Sequence, residues 1–235
     1  MAYGLKHEII RWKNAVVDLV DWALHYNSAP LRNKVFTFNQ NTYTYCIHPH
    51  NHTWRNERAV EIPIFKAFVD RYSPKDVLEV GNVLSYYGFM RHDVVDKYEI
   101  PLFRRVNRKD FLSFRTEKKY SLIISISTIE HIGWDEVPRT PEKVLEVPAR
   151  FDKLLKTNGK AVVSIPLGQN QFLDEALQNG LFPLSQSYFL RRLSAENLWE
   201  ATEAQTAFRC NYGDPYPNAN ALLIGVYKPS TSVVG

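Results

Sequence analysis

Glu130, His131 and Asp135 bring three acid–base side chains within six residues of one another. They follow Tyr120-Ser121-Leu122-Ile123-Ile124-Ser125-Ile126-Ser127, a run apolar enough to be a buried strand. In open α/β sheets ligands sit beyond the carboxyl ends of the strands, where these residues fall. A histidine titrates near neutrality and suits a general base that takes a proton from an attacking hydroxyl. The alternative for His131 is a ring that bonds only the backbone and steadies its loop.

A second group lies upstream, in Asp76-Val77-Leu78-Glu79-Val80-Gly81-Asn82-Val83-Leu84-Ser85-Tyr86-Tyr87-Gly88. The apolar run carries one acid, Glu79, and stops at Gly81. This is the pattern of a parallel strand ending in a tight turn, and glycine there leaves room for a bound group. The next short strand, His92-Asp93-Val94-Val95, ends at Asp96. A carboxylate at that strand end has two acceptor oxygens for the two hydroxyls of a ribose. Asp93 competes for the role, but Asp96 follows the apolar pair. Asp110 can accept from an adenine amino group, with Phe111 or Leu112 packed on the ring; a plain turn is the alternative. Arg58 and Glu61 can pair on a helix surface. Alternatively Asn56, Arg58 or Glu61 reaches the polar head of a cofactor.

The elements that must position these groups follow from periodicity and breakers. Apolar residues at helical spacing predict a helix from about Lys6 to Tyr26, stopped by Asn27-Ser28-Ala29-Pro30. Phe36 and Phe38, then Tyr43, Tyr45 and Ile47, alternate around Asn39-Gln40-Asn41 as in a hairpin. His48-Pro49-His50-Asn51-His52 has no completing carboxylate or Cys, so no metal site is expected. A helix is expected over Ile64 to Tyr72. After a Pro-punctuated linker come a helix from Val147 to Leu155, a turn at Thr157–Lys160 and a strand at Ala161–Pro166. A helix over Asn170 to Gln178, an extended Ser187–Arg192, a helix capped by Ser194 and running through Trp199, and a final strand Ala221–Tyr227 complete the chain. Residues 1–61 read as a helix-and-hairpin attachment within the same domain, and residues 62–235 as its core.

The 235 residues are 45% hydrophobic, enough to bury a core in one large domain. Net charge is +4 without a Lys/Arg block, which argues against a nucleic-acid partner. Two cysteines, Cys46 and Cys210, lie far apart and read as free thiols in a reducing compartment. No signal-peptide pattern or membrane-length apolar stretch is present, so a cytoplasmic location is expected.

Alternating strands and helices specify a mostly parallel sheet covered on both faces. Within that class the motif order resembles the class I S-adenosylmethionine-dependent methyltransferases. V-L-E-V-G at 77–81 is similar to their first motif. Asp96 falls at their ribose-binding acid and Asp110 near their adenine-contacting position. Y-S-L-I-I-S-I-S-T-I-E-H-I at 120–132 looks like their fourth-strand motif, and G-K-A-V-V-S-I-P at 159–166 like their fifth strand. The resemblance covers about Ile62 to Lys228. It implies a Rossmann-like class I methyltransferase fold, a doubly wound sheet with an antiparallel last strand. It also implies S-adenosylmethionine held by Glu79, Gly81, Asn82, Ser85, Asp96, Asp110, Phe111, Ser127 and Arg58, and catalysis by His131, Glu130 and Asp135. One departure is the loop after Gly81, where Asn82-Val83-Leu84-Ser85 stands in place of further glycines; Asn82 can adopt the backbone angles of a glycine. The expected acceptor is a hydroxyl of a small molecule, sugar or glycan, a weaker likeness to polysaccharide-modifying methyltransferases. The competing expectations are a non-catalytic binding module and an RNA methyltransferase. A homodimer is left open.

Overall fold

The structure, a computed structural model, describes Val20 and residues 31–88, 91–99 and 106–229. The helix expected from Lys6 to Tyr26 lies, Val20 apart, outside the described residues. The chain then forms the expected hairpin, β1 (Val35–Phe38) against β2 (Asn41–Thr44), with Val35 opposite Thr44. Asn39 and Gln40 turn it with φ of 44° and 63°. Two successive left-handed residues match the twist of the flanking strands, and asparagine tolerates that region.

α1 (Arg58–Val69) begins six residues earlier than the sequence suggests and runs through Pro63. A proline inside a helix leaves the carbonyl four residues back without its donor. That carbonyl belongs to Ala59, and it accepts the Cys46 N–H at 2.8 Å. The segment leaving the hairpin thus replaces the bond that Pro63 removes, and the 61/62 boundary falls inside α1.

The remaining elements are β3 (Val77–Val80), β4 (Asp93–Val95), β5 (Tyr120–Ile126), α2 (Val147–Leu154), β6 (Leu155–Pro166), α3 (Gln171–Gln178), β7 (Gln186–Arg192), β8 (Trp199–Thr202), α4 (Ala204–Ala207) and β9 (Ala221–Tyr227). Their sheet has the order β4-β3-β5-β6-β9-β7-β8. β4, β3, β5 and β6 are parallel, and β9 enters antiparallel between β6 and β7. This is the doubly wound Rossmann-like sheet with an antiparallel last strand. The order reverses beside β3, since β4 lies on one side of it and β5 on the other. A crevice opens at such a reversal.

Two expectations fail. Trp199 lies in β8, not in a helix; its buried indole packs in the core, and its strand pairs Trp199 with Arg192 of β7. The turn at Thr157–Lys160 is a bulge inside β6, where the register slips from Tyr120↔Leu155 to Leu122↔Lys160 and Asn158 takes φ 64°. The sheet is buried on both faces. Leu78, Ile123 and Val163 pack with Phe151 on one side. On the other, Val77, Leu122 and Val162 pack with Ile64, Phe65 and the hairpin's Phe36 and Phe38. Tyr45 continues from the hairpin, and its hydroxyl accepts the Trp199 N–H at 2.9 Å.

The turn after β3 is held by carboxylates. Glu79, fully buried, accepts Val83 N–H at 2.9 Å and Leu84 N–H at 2.7 Å on one oxygen. Its other oxygen meets His92 Nε2 at 2.6 Å. Gly81 sits at φ 83°, and the space a Cβ would need is filled by the Thr128 side chain.

Two variants test these supports. Gly81→Ala is expected to lower stability by about 2–4 kcal/mol, from left-handed strain plus overlap with Thr128. Adding Thr128→Ala should restore the steric share and leave the backbone share, as a urea-melt double-mutant cycle would read. Tyr45→Phe leaves the Trp199 N–H unpaired in the core and should cost about 1–3 kcal/mol in the same assay.

Candidate functional site

The carboxyl end of β5 meets α1. Arg58 in its first turn is ion-paired with Glu61, as the i,i+3 spacing suggests, but the pair is buried and not a surface one. The second Glu61 oxygen accepts the Ser127 hydroxyl at 2.5 Å. Ser127 directly follows β5 with φ 38°, an unusual backbone for serine, and its N–H bonds Ser164 of β6. Glu57, one residue before Arg58, is buried and accepts the Ala219 N–H at 3.2 Å. Burial opposes the Arg58 charge, but Glu61 and Glu57 outweigh it and hold the guanidinium charged.

Past Ser127 a short helical turn, Ile129–His131, carries the acid–base group. His131 Nδ1 lies 2.5 Å from Asp135 Oδ2, so Asp135 fixes the ring with its Nδ1 proton donated. Nε2 is then left to accept, on a side chain 43% exposed. Glu130 is fully buried, and its Oε1 is 3.7 Å from His131 Nε2. That exceeds hydrogen-bond range, and no donor among the described residues reaches either Glu130 oxygen. Burial, then the nearby Glu61 charge, pushes this carboxyl well above the usual carboxylate range. The structure therefore groups Glu130, His131 and Asp135 beside Ser127, with the Gly81 turn in contact through Thr128.

The cofactor set divides. Asn82, Ser85 and Asp96 lie around the Gly81 turn, but they bond one another and the backbone. Asp96 Oδ2 accepts the Asn82 N–H at 2.9 Å; Oδ1 accepts Tyr98 and Glu99 N–H at 2.8 Å each. Asp96 therefore does not present two free oxygens, and one acceptor direction on Oδ2 remains. Its competitor Asp93 is bound to Lys118 and to the Tyr120 hydroxyl at 2.9 Å. Ser85 Oγ donates to Asn82 Oδ1 at 2.5 Å. Asn82 is not among the left-handed residues, so it does not stand in for a glycine. Glu79 lies under the turn with both oxygens used. It shapes the site and does not face it, which corrects its expected place in the contact set.

Phe111 is also corrected. Its ring packs on Phe151 in the core, 5.7 Å between centroids, because the strand-flanking apolar layer closes there. Leu112 is only partly buried, and its N–H is capped by Asp110 at 2.9 Å. The other Asp110 oxygen is 3.1 Å from Lys97, which also holds Glu136 at 2.7 Å. These charges tie the loop after β4 to the loop after β5.

Sequence reasoning missed three packing contacts. Thr128 fills the side of Gly81 that was expected to be open. Tyr86 stacks on His50, 4.1 Å between centroids and 5° between planes, and Tyr87 meets His48 and His50 edge-on. The His loop thus covers the Leu84–Tyr87 turn, a contact for which the Tyr-Tyr pair was the available signal. Among the described residues no group of three His, Cys, Asp or Glu is arranged to hold a metal ion.

No family model and no curated protein matches the sequence. Solved structures do. The chain is similar to the N-methyltransferase NodS from Bradyrhizobium japonicum WM9 in complex with S-adenosyl-L-homocysteine, at 12% identity and TM-score 0.44, over 74% of this chain and 92% of that one. It is similar to a TehB-like SAM-dependent methyltransferase from Corynebacterium glutamicum, at 15% identity and TM-score 0.41, over 70% and 86%. A SAM-dependent methyltransferase from Clostridium acetobutylicum follows at 11% identity and TM-score 0.37, over 71% and 89%. These identities and scores are low, and the fold stands on the strand order itself.

Proposed function

We propose that this chain is an S-adenosylmethionine-dependent methyltransferase acting on a hydroxyl of a small molecule or sugar. The observation that carries the reading is the His131–Asp135 pair, which leaves Nε2 as an acceptor at the end of β5 beside the reversal of strand order. The residues present fit such a methyl donor in two respects. The unpartnered, buried Glu130 carboxyl suits a positively charged group, and the remaining acceptor direction on Asp96 suits a ribose hydroxyl. Bound, the donor supplies an electrophilic methyl group. His131 Nε2 takes the proton of the attacking hydroxyl, and Asp135 stabilises the imidazolium that results. The Gly81 turn and Asp96 hold the partners in line. Two free thiols, Cys46 and Cys210, and the lack of any described helix long and apolar enough to cross a membrane support a cytoplasmic setting.

One observation favours a second reading, a non-catalytic module of the same fold. The amides of Gly81, Asn82, Val83 and Leu84 are all bonded internally, and Thr128 fills the glycine's open side. Such a turn offers a ligand few donors.

Calorimetric titration with S-adenosylmethionine separates the two: binding is expected, and no heat together with no thermal shift would leave the module. Asp96→Ala should weaken that binding by about 10–100-fold, the worth of hydrogen bonds to a charged group. On a panel of sugars and small phenols, His131→Ala should slow methyl transfer by about 10²–10⁴-fold with donor affinity unchanged. Unchanged turnover would remove His131 from the chemistry.

A further inference from the structure

Glu130 is a fully buried carboxyl that finds no hydrogen-bond partner among the described residues. Neither oxygen receives a hydrogen bond from the described residues. The nearest imidazole nitrogen, His131 Nε2, is 3.7 Å away and turned to the acceptor side in the proposed mechanism. Asn170 approaches from the loop before α3, but its amide bonds the Glu130 backbone carbonyl, at 2.7 Å. From α1 and the residue before it the facing charges are Glu61, Arg58 and Glu57. From the loop before β9 comes the Tyr212 hydroxyl, which feels the Glu130 charge. Among these groups three carboxyls face one guanidinium. Arg58 is already paired with Glu61, and the other Glu61 oxygen is held by Ser127. Among the described residues no Lys or Arg is left to pair with Glu130, although it sits where the sheet reverses and a ligand is expected.

We propose that Glu130 reads the positive charge of the bound methyl donor, so that the site holds the sulfonium more tightly than the uncharged thioether left after transfer. The inference rests on the methyltransferase reading. A carboxyl without a counter-charge is costly to ionise in a dry site, and a cation beside it removes that cost. In the ligand-free protein burial raises the Glu130 carboxyl well above the usual carboxylate range and so favours its neutral acid form. A sulfonium placed against it favours the carboxylate, so the proton leaves as the donor binds. The thioether gives no such drive. This asymmetry favours loading with donor and release of spent product.

The test is isothermal titration of the full chain with S-adenosylmethionine and with S-adenosylhomocysteine, at one pH, in two buffers of different ionisation enthalpy. The donor is expected to release more protons than the product, with a difference of up to about one. In Glu130→Gln that difference should vanish, and the donor-to-product affinity ratio should fall about tenfold. Circular dichroism melting checks the variant's fold, and the wild-type proton count needs no variant. Equal proton release by the two ligands in wild type, or a ratio unchanged in Glu130→Gln, overturns the inference alone. Failure of S-adenosylmethionine to bind wild type overturns the methyltransferase reading and the inference together.

Discussion

A carboxylate buried in a protein must have its oxygens filled, and Glu79 fills both with the turn that follows its own strand. The chain leaves β3 in one direction because Val83 and Leu84 must donate to that carboxylate. Gly81 can then take its left-handed angle, Asn82 comes within reach of Asp96, and Thr128 of the next strand end closes against the glycine. The relative placement of three strand ends follows from one acid beneath them. It also explains how a turn poor in glycine keeps a fixed shape: side-chain acceptors bond its amides, whereas a glycine-rich turn would leave them for a ligand.

Glu79 and Glu130 are the same chemical group with opposite surroundings. One is surrounded by donors and serves the fold. The other has the burial without the donors, next to a histidine and two further acids. A protein keeps such a group only where something compensates it, and the compensation here is assigned to a ligand. The Arg58–Glu61 pair shows the intermediate case, an ion pair whose second carboxylate oxygen positions a residue, Ser127, at the strand end.

The parts legible in sequence were those set by local pattern. The runs 77–80, 120–126 and 221–227 are continuous and apolar because both faces of their strands are covered. The closeness of Glu130, His131 and Asp135 followed from their spacing past a strand. What sequence concealed was decided at long range. Trp199 became a strand residue through pairing with β7, which its Ser194 cap pattern could not reveal. Phe111 beside Asp110 looked available to a flat ring, but Phe151, forty residues on, claims it. Asp96 showed its position but not its occupancy, since the amides it binds belong to a loop whose course the sequence does not state.

Pro63 has a consequence of another kind. It deprives α1 of one amide hydrogen, and the Ala59 carbonyl thereby becomes a docking point for Cys46. Any other residue at 63 would bring that hydrogen back, and helix and incoming segment would compete for a single acceptor. The register in which the N-terminal segment enters the fold is therefore written in an atom that is missing. Positions 46, 59 and 63 are thus coupled through a single backbone carbonyl.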